Sequence, residues 1–305
     1  MRFGILPPVR SGATADGEWL AAFARLVERL GFESIVLVEH AVVVSGYQSR
    51  YPYSSSGRMP LPDDCAIPDP LDAMAYLAGV SDRIILATGV LVAPNHHPVV
   101  LAKRIASVDR FSGGRVRMCL GVGWMDEEVR ATGADPRSRG RRTDETIVAM
   151  RALWADSGAE GAEFHGEFFS FEHAHSFPKP FHGDVPLHIG GHSEAAARRA
   201  GRLGDGFQPL GIDGAVLADR MDTVRRAAEE VGRDPGDIEL SLSGYLPATT
   251  EADVDAAERA GAARMVVSTS ITPDLSALED ELATFAEHFG VVADAPASMP
   301  STTGR

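Results

Sequence analysis

The chain has 305 residues, 44% of them hydrophobic and 24% charged, which is enough chain and enough apolar content for one large core. A net charge of -14 excludes a phosphate-backbone ligand, because nucleic-acid binders carry a basic face. No run is apolar enough for a membrane span, and Cys65 and Cys119 have neither metal-site spacing nor the density of a disulfide framework, which points to a reducing cytosol.

The N-terminus enters an apolar strand directly at Phe3-Gly4-Ile5-Leu6, without the basic flank and long apolar region of a signal peptide, so a cytoplasmic location is expected. Further strands are predicted to begin near Ser34, Ile84, Val116, Pro186, Gly206, Ile238 and Arg264. Helical patterns follow them at 17–30, 70–81, 98–111, 139–154, 193–203, 215–231, 251–260 and 273–289. Eight strand-then-helix units are the number that closes a parallel barrel, so the predicted fold is α/β, a single (β/α)8 TIM barrel over residues 1–291.

The stretch from Ile84 to Trp124 carries most of this signal. Ile84 to Val92 is apolar almost without interruption, as in a parallel strand covered on both faces, and Gly89 within it marks a bulge, a bend or a close approach. Pro98 suits a first helical position, Leu101, Ile105 and Val108 share a face, and Gly113-Gly114 stop the helix. Val116 to Leu120 returns as the next strand, and so long a crossover makes the pair parallel.

Two segments interrupt the alternation. Residues 41–69, rich in Tyr, Ser, Pro and Gly, follow the second strand, and 156–184, with aromatic and histidine content, precede the fifth. Both are expected as insertions on the C-terminal face, where long loops carry function. Residues 292–305 lack an apolar period and are expected to form a flexible tail.

Candidate chemistry lies at strand ends. His40 closes the second strand, either as a proton donor or as a simple cap. Gly89-Val90 is either an ordinary barrel glycine and its neighbour or a strained bulge kept for a site. Gly190-Gly191-His192-Ser193 places glycines and a helix cap after the fifth strand, an arrangement that admits a phosphate. Gly123-Trp124-Met125-Asp126-Glu127-Glu128 offers an aromatic wall and carboxylates, which are either functional or partners of the helix dipole. His165, His173, His175 and His182 crowd the second insertion and Asp63 and Asp64 lie in the first, but no His-x-His pair ends strand one, and no metal is assigned.

The ordered set Thr88-Gly89-Val90-Leu91-Val92, His97-Pro98-Val99-Val100-Leu101-Ala102-Lys103, Asp109-Arg110-Phe111-Ser112-Gly113-Gly114-Arg115, Gly121-Val122-Gly123-Trp124, Ile189-Gly190-Gly191 and Gly204-Asp205-Gly206-Phe207 resembles the luciferase-like monooxygenase superfamily across nearly the whole barrel. The insertion ending Gly57-Arg58-Met59-Pro60-Leu61-Pro62, with Pro68-Asp69-Pro70-Leu71, is similar to the actinobacterial branch that uses the deazaflavin F420. Arginine in place of nearly all lysine, which is left only at Lys103 and Lys179, agrees with a high-GC bacterial source.

The resemblance implies an oxidoreductase that exchanges a hydride between F420 and a small organic substrate, with FMN-dependent monooxygenation and a non-catalytic flavin-binding barrel as alternatives. It implies a cis peptide at Gly89-Val90 behind the cofactor ring, the cofactor phosphate at Gly190, Gly191, His192 and Ser193, and His40 near the reactive carbon. His40, Trp124 and Glu127 are the implied catalytic set. Trp124 stands where deazaflavin-dependent sugar-phosphate dehydrogenases carry an acid, so their acid-base mechanism does not transfer. Superfamily members often dimerise, so a homodimer is within expectation.

Overall fold

In the computed structural model, which describes residues 1–292, the eight expected strands close into a parallel barrel. The tail expected beyond Val292 lies outside the described residues. The chain runs β1 (Arg2–Leu6), α1 (Gly17–Arg29), β2 (Ser34–Leu37), α2 (Pro70–Ala78), β3 (Ile85–Thr88), β4 (Leu91–Val92), α3 (Pro98–Ser112), β5 (Val116–Gly121), α4 (Asp126–Ala131) and α5 (Arg139–Trp154). It continues with β6 (Ala162–His165), β7 (Ser170–Ala174), β8 (Leu187–Gly190), α6 (Glu194–Leu203), β9 (Gly206–Gln208), α7 (Gly214–Glu229), β10 (Glu239–Tyr245), α8 (Glu251–Arg259), β11 (Ala262–Ser268) and α9 (Leu275–His288). The ring order is β1, β2, β3, β5, β8, β9, β10, β11, with β1 pairing back to β11, and β4 continues the line of β3 beyond Gly89-Val90 to pair with β5. Among the described residues no helix is long and apolar enough to cross a membrane.

Local chemistry sets the element ends. Asp69 accepts from Leu71 and Asp72 N–H ahead of Pro70, Ser193 Oγ accepts from Ala196 N–H at 3.1 Å, and Thr250 with Asp253 forms a reciprocal capping box. Gly113, at φ 70°, ends α3 in the left-handed conformation. Every residue of β3 and β4 is buried, which explains the almost unbroken apolar reading of Ile84 to Val92.

The barrel lumen is layered. At its N-terminal end the Glu33 carboxylate accepts from Arg117 (3.1 and 3.0 Å) and from Arg264 Nε (3.0 Å), and Arg264 also pairs with Glu239 at 2.7 Å. Ser34 and Ser241 hydroxyls take further guanidinium protons. Burial alone would raise the Glu33 carboxyl, but Arg117 and Arg264 outweigh it and hold the group well below its ordinary 4.5. Glu239 follows the same pattern and falls to about 2. His188 in this layer is pushed well below its ordinary value by burial, then by the two arginines, and is neutral. Above the ions sit Val36, Ala87 and Val266 with Leu6, and above those the lumen opens.

The two insertions behave differently. Residues 41–69 contain no helix or strand and fold over the C-terminal mouth, where Arg58 donates to the Tyr47 carbonyl at 2.8 Å and Met59 N–H to the Tyr47 hydroxyl at 2.9 Å. The expectation that 156–184 also sits on that face holds for part of the segment only. Its later residues return to the N-terminal end, where Phe181 N–H and Arg110 join it to the end of α3, while Phe168 and Phe169 reach His97 at the start of α3 and Arg142 in the first turn of α5. It also contains an antiparallel hairpin, β6 with β7, that the sequence reading did not anticipate.

Glu33→Ala should cost about 3–5 kcal/mol in urea unfolding, because buried Arg117 loses its carboxylate partner and Arg264 loses one of two. Since the folded carboxyl lies below its unfolded value, its contribution is complete above about pH 4.5 and is lost as pH falls toward the folded value. Unfolding free energy should therefore drop on acidification, and more steeply in the wild type than in Glu33→Gln.

Candidate active site

The floor of the C-terminal cavity is built around Val90. The Gly89-Val90 peptide is cis, as the resemblance implies, and the Val90 side chain lies between two strands that carry glycine where it meets them. A Cβ on Gly121 would lie 2.5 Å from Val90 Cγ2, and one on Gly190 would lie 2.4 Å from Val90 Cγ1. A Cβ on Gly89 would meet Val36 Cγ1 at 2.5 Å. The glycine at 190 is thus demanded by Val90, a packing reason that stands apart from any phosphate approach. Cys119 lies beneath this floor, its thiol pushed up to about 12 by burial, so it behaves as a small apolar group.

Two buried carboxylates hold the polar side of the mouth. Glu128, 2% exposed, accepts from His40 Nδ1 at 2.9 Å through one oxygen. Its other oxygen accepts from Ala41 N–H at 2.7 Å and Asn95 Nδ2 at 3.3 Å. Glu39, 6% exposed, meets His96 Nε2 at 2.6 Å and accepts from Val92 N–H. Each carboxylate ties the end of the second strand to a neighbouring element, and such multiple donors are what a buried carboxylate requires.

The roof is aromatic. Trp124 meets the rings of His40 (6.1 Å), Tyr47 (5.1 Å) and Tyr51 (5.2 Å) edge to face. Tyr51 continues to Tyr53 at 5.4 Å and Tyr53 to His192 at 5.3 Å, so a chain of rings crosses the mouth from the end of β2 to the start of α6. The Tyr53 hydroxyl is pushed up to about 12, chiefly by burial, and remains a neutral donor.

The cavity measures about 540 Å³ and opens to solvent at the mouth. His40, Trp124, Gly89, Val90 and Gly191 line it. Gly190, His192 and Ser193 stand behind that lining: Ser193 caps α6, and Arg220 donates to the His192 carbonyl at 3.0 Å. Glu127, expected among the catalytic residues, turns away from the cavity. It accepts from Gln48 N–H at 2.8 Å and Ser49 Oγ at 2.7 Å, and these bonds, the Ser49 hydroxyl first, lower its carboxyl to about 2. The adjacent Glu128 faces the cavity instead, and its adjacency to Glu127 in sequence gave no sign of which would do so.

Gln208 and Ser243 were also missed. Both line the cavity on β9 and β10, and the Gln208 amide nitrogen lies 3.6 Å from where a Gly89 Cβ would stand. Their one available sign was position at a strand end.

A parallel barrel with a cis Gly-Val bulge under an apolar, ring-walled mouth agrees with a match to the family described as luciferase-like monooxygenase over residues 1–292. The chain belongs to that family. An uncharacterized protein of Mycobacterium tuberculosis is 37% identical over 172 residues, a match spanning 56% of this chain and 59% of that relative's length. The F420-dependent glucose-6-phosphate dehydrogenase of Segniliparus rotundus is 28% identical over 76% of this chain and 67% of its own. The FMNH(2)-dependent dimethylsulfone monooxygenase of Pseudomonas putida is 29% identical over 51% of this chain and 43% of its own. Among solved structures, an F420-dependent secondary alcohol dehydrogenase superposes with TM-score 0.71 over 96% of this chain and 99% of its own, at 17% identity, a likeness of fold.

The Val90 socket generates a direct test. Gly190→Ala should lose about 1–3 kcal/mol by overpacking. Adding Val90→Ala should restore part of that loss, giving a favourable coupling in a double-mutant cycle of denaturant unfolding.

Proposed function

We propose that this luciferase-like chain is an oxidoreductase that exchanges a hydride between F420 and a small, neutral, largely apolar organic substrate. The observation that carries the reading is His40, held through Nδ1 by Glu128 beside the Gly89-Val90 floor, which leaves Nε2 as the ring nitrogen without a protein partner among the described residues. The residues present suit a planar cofactor. The floor is apolar and shaped by Gly89 and Val90, and the helix N-terminus at Ser193 stands behind Gly191 on the far side of the mouth, suited to a phosphate. A bound deazaflavin supplies the hydride chemistry itself.

The chain's own groups supply the rest. The aromatic roof from Trp124 to Tyr53 covers the site and limits water. His40 Nε2 takes the hydroxyl proton of an alcohol as its carbinol hydrogen leaves as hydride, or returns it to the carbonyl oxygen in reverse. Arg10 is the one cation in the lining among the described residues, and Glu39 and Glu128 also stand there, which favours an uncharged substrate over a sugar phosphate. The second reading, reduced FMN with oxygen, is supported by the likeness to the dimethylsulfone monooxygenase.

Fluorescence titration of the purified chain with F420 and with FMN, each oxidised and reduced, separates the two. Micromolar binding of F420 is expected, and binding of FMN alone would overturn the assignment. His40→Ala should lower turnover roughly 100- to 10,000-fold, with cofactor affinity held within a few fold. Unchanged turnover would remove His40 from the site.

A further inference from the structure

The His40 ring is fixed from behind. One Glu128 oxygen meets Nδ1 at 2.9 Å, while the other is already occupied by Ala41 N–H and Asn95 Nδ2. Asn95 Oδ1 lies 3.0 Å from Thr132 Oγ1, whose single hydroxyl proton is shared with the Val129 carbonyl at 3.0 Å. Every contact to Glu128 therefore asks it to accept, which is the role of an ionised carboxylate. A ring nitrogen facing such a group must carry the proton. We infer that Glu128 is the positioning residue of this site, locking neutral His40 as its Nδ1–H tautomer so that Nε2 presents a lone pair to the cavity.

This rests on the proposed reading only for its catalytic consequence. With the proton fixed on Nδ1, Nε2 can accept a substrate proton without a ring flip, and the resulting imidazolium keeps its hydrogen bond to Glu128. The opposite tautomer would present an N–H to the cavity and set an Nδ1 lone pair against a carboxylate. The chain Thr132, Asn95, Glu128, His40 thus runs from the end of α4 to the cavity, with Glu128 orienting the ring.

The test needs no cofactor. Long-range 1H–15N spectra of the labelled protein report the tautomer of each histidine, and His40 is assigned by its absence in His40→Ala. The wild type should show a protonated Nδ1 and a bare Nε2 above the pH at which the ring is neutral, and a protonated Nε2 there would overturn the proposal even if no variant folds. In Glu128→Gln the preference for Nδ1–H should fall at least about threefold, with the other histidine signals in place as evidence of the fold, and Glu128→Asp should recover part of it. An unchanged ring in Glu128→Gln would equally overturn it. Where turnover is measurable, Glu128→Gln should reduce kcat at least tenfold with KM within about threefold. A correct tautomer without turnover on either cofactor would sink the proposed function and leave this inference standing.

Discussion

The cavity depends on Val90 filling the space that Gly121 and Gly190 leave open. Three neighbouring strand lines, β3 with β4, β5 and β8, meet at this one side chain, with contacts that no Cβ on either glycine could tolerate. Protein interiors are packed closely enough that a single added carbon must be accommodated by movement. The height of Val90 in the lumen therefore sets where the packed interior ends and the ligand space begins. Gly89 contributes to the same boundary, since its missing side chain leaves room for Val36 below and for the Gln208 amide alongside.

The two ends of the lumen handle buried charge in opposite ways. At the N-terminal end Glu33 and Glu239 are neutralised by Arg117, Arg264 and Arg2, a network in which each charge faces its counter-ion and nothing is left for a ligand. At the C-terminal end Glu39 and Glu128 are satisfied by backbone N–H groups, an amide and histidines. Histidine is the member of such a network that can exchange a proton, and only at this end does it stand beside open space. The same lumen is thus a closed ionic plug below and an adjustable site above, separated by the apolar layer of Val36, Ala87 and Val266.

Most of the barrel was legible because its signals are local. Pro98, Gly113 and Ser193 mark helix ends through their own local chemistry, and the apolar run of β3 and β4 follows from burial on both faces. Signals that depend on a distant partner were not legible. The reason for Gly190 is a valine a hundred residues earlier in the chain, so a phosphate loop was the nearest local explanation. Glu127 and Glu128 are adjacent in sequence, and only the rotation of α4 about its axis decides that one ties down the insertion while the other reaches His40. The β6–β7 hairpin is short and largely exposed, with too little apolar alternation to stand out. Topology places the two ends of the second insertion at the N-terminal end, because it runs from a helix to a strand, but the reach of its hairpin to His97 depends on contacts distant in sequence.

Trp124 serves the site by packing. An indole offers one N–H donor and no group that titrates, so this residue cannot act as a general acid or base. In this chain the indole packs edge to face with His40, Tyr47 and Tyr51 and completes the roof. A wall of this kind favours apolar bodies and offers a phosphate no cation. It leaves proton transfer to the other groups of the site. On the proposed reading that burden falls on His40, and the buried carboxylate on its far nitrogen is what allows a single imidazole to carry it.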